Sequence, residues 1–195
     1  MVVRPSSREI SAGIIEGCRQ GDRNAVRVIY DLYKDKVYSI ALYFFHGDAA
    51  TASDVTQQVF VKLMTDFEHF RGDSAFSTWL YRLVVNTCID TSRKRRHSAV
   101  QIEKSVFEAV AAAGSHEEDL ARKQIANSIQ TAISALPQKF RIAILLRYFE
   151  DLSYQEMASA LNCSIGTVAS RLSRGHRLLA GKLEPMREWF RRGQS

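Results

Sequence analysis

Apolar residues recur at three- and four-residue steps along most of the chain. Ala25, Val28, Ile29 and Leu32 form one such series, Val55, Val59 and Leu63 a second, and Ile125, Ile129 and Ile133 with Leu136 a third. That period places the apolar positions on one face of an α-helix, whereas a half-buried strand would alternate at every second residue. No alternating stretch competes, so the pattern predicts an all-α fold. Pro137 has no amide hydrogen to donate into a helix ladder. It therefore marks where one helix ends and the next, carrying Phe140, Ile144, Leu145 and Tyr148, begins.

Between positions 97 and 119 the texture changes to HSAVQIEKSVFEAVAAAGSHEED, with a run of small residues, Gly114 and an acidic end. No amphipathic face is sustained there, which reads as a linker. Ser115 followed three residues later by Glu118 has the spacing of a capping box, so a second helical module is expected to start close to residue 116. Two small helical domains follow, each with a modest core.

The stretch LSYQEMASALNCSIGTVASRLSRGHRLL reads as two short helices around a tight turn. Ser153 and Glu156 form a capping box, and Leu152 and Met157 have the spacing of a hydrophobic staple that fixes the entry angle of the helix. Asn162-Cys163-Ser164 breaks the apolar rhythm, Ser164 is a plausible second N-cap, and Ile165, Val168 and Leu172 are expected to face the core. The opposite face carries Ala169, Ser170, Arg171, Ser173, Arg174 and Arg177, and no Asp or Glu lies between Met157 and Leu183. Arginine forks suit bidentate contact with phosphate oxygens or the guanine edge, and small residues permit close approach. An ordinary helical hairpin with a solvated basic face is the bland alternative. The coincidence of cap, turn, apolar series and acid-free face favours a helix that enters the major groove.

Charge supports an anionic partner without choosing it. Lys and Arg total 27 against 21 Asp and Glu, a net +6, with a sequence pI near 9.4. At 46% hydrophobic and 25% charged residues the composition is that of a globular protein. No apolar run approaches a membrane span, and MVVRPSSREI lacks the apolar core of a secretory signal, so a cytoplasmic location is expected. Cys18, Cys88 and Cys163 have no C-x-x-C pairing and read as reduced, mostly buried thiols. There is no phosphate-binding Gly loop, no metal-ligand spacing and no paired nucleophile and base, so neither an enzyme nor a cofactor is expected.

A second cluster joins Phe70, Phe76, Trp79 and Tyr81 to a helix ending in Arg93-Lys94-Arg95-Arg96. Aromatic faces stack on unpaired bases while cations follow the backbone, which suits a melted strand. Trp79 and Phe76 are about equally compatible with a core. Four consecutive cations repel one another unless an anion or solvent relieves them. Ahead of the cluster, DVTQQVFVKLMTDF sets polar residues around an apolar stripe, as a partner-docking helix or a solvated one would.

Taken in order, DVTQQVFVKL, FRGDSAFSTWLYRLVVNTCIDTSRKRR, LPQKFRIAILLRYFEDLSYQEMA and the hairpin resemble the extracytoplasmic-function (ECF) sigma factors of bacterial RNA polymerase, over nearly the whole chain. The resemblance implies sigma region 2 at 22–97, a flexible linker at 98–116 and sigma region 4 at 117–183, flanked by an N-terminal segment 1–21 and a tail 184–195. It implies that Asp54, Gln57, Gln58 and Val61 contact the core polymerase. It implies that the loop Phe70-Arg71-Gly72-Asp73-Ser74, with Asn86, holds a flipped base of the −10 element, and that Arg82, Asp90, Arg93 and Lys94 lie near the promoter strands, with Trp79 largely structural. In region 4 it places Thr167, Ala169, Ser170, Arg171, Ser173, Arg174 and Arg177 at the −35 element. An anti-sigma factor, sometimes membrane-bound, is the implied regulator. The chain departs from the common pattern at Ala169, where a cation is frequent, and at Gly175-His176, leaving His176 as a candidate pH-sensitive phosphate contact. Two other functions remain compatible with the residues: a polymerase-independent regulator that binds an operator alone, and a protein-binding adaptor.

Overall fold

A computed structural model describes residues 10–98 and 117–184, all of whose regular elements are helical. The expected linker beyond Ser98, which is the last residue of the first bundle's final helix, the tail beyond Glu184 and the capping residue Ser115 lie outside the described residues. Four helices form the first bundle: α1 (Ala12–Arg19), α2 (Arg23–Phe44), α3 (Ala49–Asp66) and α4 (Phe76–Ser98), with a 3-10 turn at Phe67–His69 before α4. The second bundle is α5 (Glu117–Ser134), α6 (Gln138–Tyr148), α7 (Tyr154–Ala160) and α8 (Ile165–Leu183). Helix α5 is described from Glu117 onward, and Pro137 stands as the N-cap of α6.

Side-chain caps set the starts of the long helices. Asp22 accepts the Asn24 amide at 2.8 Å ahead of α2, and Asp48 accepts the Thr51 amide at 2.9 Å ahead of α3. Left-handed residues close the preceding turns: Gly21 before Asp22, and His46 and Gly47 before Asp48. Helix α1 falls in a segment for which the apolar spacing predicts no element. It docks through the buried Cys18 and through Gly17, where an added Cβ would stand 2.9 Å from the Ala25 Cβ.

The core of α3 follows the expected series Val55, Val59 and Leu63. That of α2 follows its own expected series only at Ala25 and Ile29. Its buried ladder is Ala25, Ile29, Tyr33, Val37, Ile40 and Phe44, while Val28 and Leu32 are 40% and 46% exposed. At about 100° per residue both lie well to one side of the ladder, which Tyr33 continues in their place. Helix α4 buries Leu80, Tyr81, Val84, Val85 and Cys88.

Helix α6 is buried at every position from Phe140 to Leu146, so it has no solvent face over two turns. One side packs on α8, and the other packs on α2 of the first bundle. The two bundles thus meet directly, α2 against α5 and α6 and α4 against α7. Phe149, just past α6, packs edge-on against Tyr43 with ring centroids 4.7 Å apart. Tyr148, expected on the apolar side, points outward and is exposed.

Candidate nucleic-acid and polymerase interface

The hairpin of α7 and α8 is built as its sequence predicts. The Glu156 amide donates to Ser153 Oγ at 3.2 Å, and the Ser153 amide donates to a Glu156 carboxylate oxygen at 2.7 Å. Leu152 and Met157 are both buried on either side of the cap. Asn162 takes a left-handed conformation in the turn, with φ of 46°, which an Asn tolerates better than most residues. Ser164 Oγ accepts the Thr167 amide at 3.1 Å and starts α8.

Val168 and Leu172 face the core, but Ile165 is 45% exposed. It lines a shallow depression at the open end of the hairpin with Gln155, Ala158, Asn162 and Cys163. The buried stripe runs instead through Val168, Leu172 and Gly175. Gly175 permits close packing of α8 on α6, since a Cβ there would stand 3.1 Å from Ile144 Cγ1. On the outer side Ser170, Ser173, Arg174 and Arg177 are exposed, while Thr167, Ala169 and Arg171 are half-buried. His176 Nε2 lies 2.9 Å from the Tyr148 hydroxyl, so a protein group already engages the ring.

In the first bundle Asp54, Gln57, Gln58 and Val61 are all exposed on α3, with Met64 one turn beyond Val61. On α4, Arg82, Asn86, Asp90, Arg93 and Lys94 form a stripe at three- and four-residue steps. All five are exposed, and Arg82 also donates through Nε to the Ser159 carbonyl at 3.1 Å and through Nη2 to Ser159 Oγ at 2.8 Å. In the loop before α4, Arg71, Gly72 and Asp73 are exposed and Ser74 half-buried, with Gly72 at φ of 81°.

Phe70 is different. Its ring is 4% exposed and packs with Phe67, Phe76 and Trp79 at centroid distances from 5.3 to 6.2 Å. Of the two readings open for the aromatic cluster, a stacking platform or a core, the structure forms the core. Phe70, Phe76 and Tyr81 are buried and Trp79 half-buried. Arg19 Nη2 donates to the Phe70 carbonyl at 2.6 Å, pinning the loop's root to α1 across 51 residues of chain. No sequence pattern signals that contact.

The basic run is also less free than its sequence implies. Arg95 pairs with Asp48 and bonds Thr51, Arg93 lies 3.9 Å from Asp90, and Arg96 donates to Gln138 at 3.4 Å. Burial alone would raise the Asp48 carboxyl, but the Thr51 amide and hydroxyl and the Arg95 guanidinium hold it below its ordinary range. Among the described residues no group of His, Cys, Asp and Glu is arranged to hold a metal, and no helix is long and apolar enough to cross a membrane.

Two family models match the chain, Sigma-70 region 2 over residues 29–98 and Sigma-70 region 4 over residues 126–179. The RNA polymerase sigma-H factor of Pseudomonas aeruginosa is 34% identical over 188 residues, covering 92% of this chain and 97% of that protein. The ECF RNA polymerase sigma factor SigW of Bacillus subtilis is 33% identical and covers 88% of this chain and 96% of its own length. Among solved structures, the sigma factor RpoE in complex with the anti-sigma factor NepR from Bartonella quintana superposes with a TM-score of 0.66 at 24% identity, covering 81% of this chain and 96% of that one. CnrH in complex with the cytosolic domain of CnrY gives 0.65 at 22%, covering 88% and 96%. On the two region matches and relatives a third identical over nearly its whole length, the chain belongs to the sigma-70 family, as an ECF sigma factor, and is a transcription initiation factor, not an enzyme.

Proposed function

We propose that this protein binds bacterial core RNA polymerase and directs it to promoters by recognising −10 and −35 elements and opening the −10 strands. The observation that carries the reading is the outer side of α8, where Arg174 and Arg177 stand exposed beside Ser170 and Ser173 behind a fully capped hairpin. A helix of that build suits the major groove, with arginines on phosphates and small residues close to base edges. Thr167, Ala169 and Arg171 complete the face. The exposed stripe of Asn86, Arg93 and Lys94 on α4, with Arg82 and Asp90 on the same helix and the loop Arg71-Gly72-Asp73-Ser74 ahead of it, would serve the −10 strands. Phe70 would contribute by anchoring that loop through its buried ring. The exposed side of α3, with Asp54, Gln57, Gln58 and Val61, is assigned to core polymerase.

Control by an anti-sigma factor is part of the same reading, and the complexes of RpoE and CnrH with their partners support it. The protein would act in the cytoplasm, on the nucleoid or held near the membrane by such a partner. In vitro transcription from a genomic fragment library tests the proposal. Discrete new start sites with core plus this protein, absent with core alone, are expected. No new starts, together with specific duplex binding by the free protein, would replace it with a polymerase-independent regulator.

A further inference from the structure

Helix α1 lies ahead of the span matched to Sigma-70 region 2, which begins at residue 29, and none of its side chains belongs to the surfaces assigned above. It is nevertheless firmly seated. Ile14 and Ile15 pack against the core, the Asp22 amide donates to the Gly17 carbonyl at 2.9 Å, and Gly17 meets Ala25 with no room for a Cβ. From that seat Arg19 reaches the root of the loop ahead of α4. Its Nη2 donates to the Phe70 carbonyl at 2.6 Å, and its Nη1 stands 3.5 Å from a Glu16 carboxylate oxygen. Glu16 also accepts the Gln20 side chain at 3.1 Å, which steadies the carboxylate as counter-ion to the guanidinium. A planar fork can serve both partners at once, where a lysine nitrogen could not hold the same two directions.

Phe70 is thereby fixed at three points. Its ring is buried, its amide donates to the Phe67 carbonyl at 3.0 Å, and its carbonyl is held by Arg19. Arg71, Gly72 and Asp73 beyond it are exposed, so Phe70 is the last anchored residue before the loop. The buried ring fixes where Phe70 sits, but rotation about its ψ would still swing the next peptide and everything after it. The guanidinium holds that ψ at 98°. The peptide linking Phe70 to Arg71 is planar and trans, so its C=O and N–H point in opposite directions. With the carbonyl turned to Arg19, the Arg71 N–H is turned away from α1. A cation on the carbonyl also polarises the unit and strengthens that N–H as a donor.

We propose that Arg19 is a positioning residue for base capture by the −10 loop: it sets the plane of the peptide after Phe70 and so aims the Arg71 amide and the loop beyond it at the unpaired strand. This rests on the proposed function, in which that loop and Asn86 hold a flipped base. Arg19 itself touches no DNA. Its effect is confined to how well the loop fits a base, and backbone contacts along the strand are left as they are.

Binding of the holoenzyme, reconstituted with bacterial core polymerase, to a fluorescein-labelled non-template strand tests the role. One strand carries the −10 sequence of a promoter that this holoenzyme uses, and companion strands replace each −10 base in turn by an abasic site. The ratio of intact to abasic affinity reads base capture apart from backbone binding. Arg19→Met keeps the stem and removes the donors. It is expected to lower the ratio roughly three- to tenfold, as for the loss of about one hydrogen bond, with abasic affinity unchanged. Arg19→Lys keeps one donor and is expected to fall between. A merely structural role would lower both affinities together, and that outcome, like an unchanged ratio, overturns the proposal. The Arg19 side chain is 38% exposed, so the fold is expected to survive the change. Should Arg19→Met lose helix content by circular dichroism, Arg19→Gln, whose amide is too short to reach the carbonyl, is read in the same way. A wild type with no base-dependent affinity at any position removes the −10 reading and this inference with it, whereas a base-dependent wild type matched by Arg19→Met removes Arg19 alone.

Discussion

Arg95 Nη1 stands 2.8 Å from Asp48 Oδ2, so the basic end of α4 is tied to the residue that caps α3. The two partners contribute unequally. The pair is partly solvated, so Arg95→Ala is expected to cost only ~0.2–1 kcal/mol. Asp48→Ala also removes the N-cap and is expected to cost about 1–2 kcal/mol. Urea denaturation of the single and double variants measures both costs, and a double-mutant cycle isolates their coupling. Equal costs for the two singles would remove the cap from the account.

His46 gives the fold a pH dependence whose sign is set by its neighbours. Burial first, then Arg141 with its Nη1 3.1 Å from the ring and Arg95 beyond, lower its pKa, opposed by the Ser134 backbone. Asp48, two residues on, is engaged by Arg95. A histidine with a depressed folded pKa binds fewer protons in the folded state. Stability is therefore fully present above the ordinary value of about 6.5 and falls as pH drops through that window. Urea midpoints are expected to decrease between pH 7.5 and 5.5. In His46→Asn, whose side chain tolerates the φ of 61°, that part of the slope should vanish.

Neighbouring residues in the proposed −10 loop should fail in different ways. Phe70→Ala opens a hole among Phe67, Phe76 and Trp79 and is expected to cost about 3–5 kcal/mol. Arg71 is exposed, and Arg71→Ala is expected to leave thermal stability within about 0.5 kcal/mol. Thermal denaturation separates the two. A stable Phe70→Ala protein would contradict the anchoring role given to the ring.

The two proposed DNA faces are expected to be separable by mutation. Asn86→Ala should chiefly impair strand opening, read by permanganate reactivity at the −10 element. Arg174→Ala should chiefly weaken recruitment and reduce the salt slope of promoter binding by about one. If both variants recruit polymerase and melt DNA normally, the site residues are misassigned even though the family is not.

Local rules made much of the second module readable. The capping box at Ser153, the turn at Asn162 and the N-cap at Ser164 each act within a few residues, so their signals survive in sequence. The family resemblance located the candidate surfaces, which spacing alone leaves as solvated faces. Periodicity misplaced Val28, Leu32 and Ile165, because the wide apolar sector of a short window does not say which positions have a neighbouring helix to cover them. Arg141 and Glu150 were not legible at all. Each has its partner on another element, 97 and 69 residues away, and a charged residue beside an apolar run reads as surface until the second bundle is in place.

The absent side chain at Gly175 lets α6 and α8 pack so closely that they behave as one lever. Ile144 fills the space a Cβ would take, and close-packed interiors transmit displacement instead of absorbing it. Glu150 sits two residues past one end of that lever, and the arginines of α8 lie along its far arm. A displacement at that end of α6 is then passed on to α8, so the direction in which its exposed arginines point follows whatever holds Glu150.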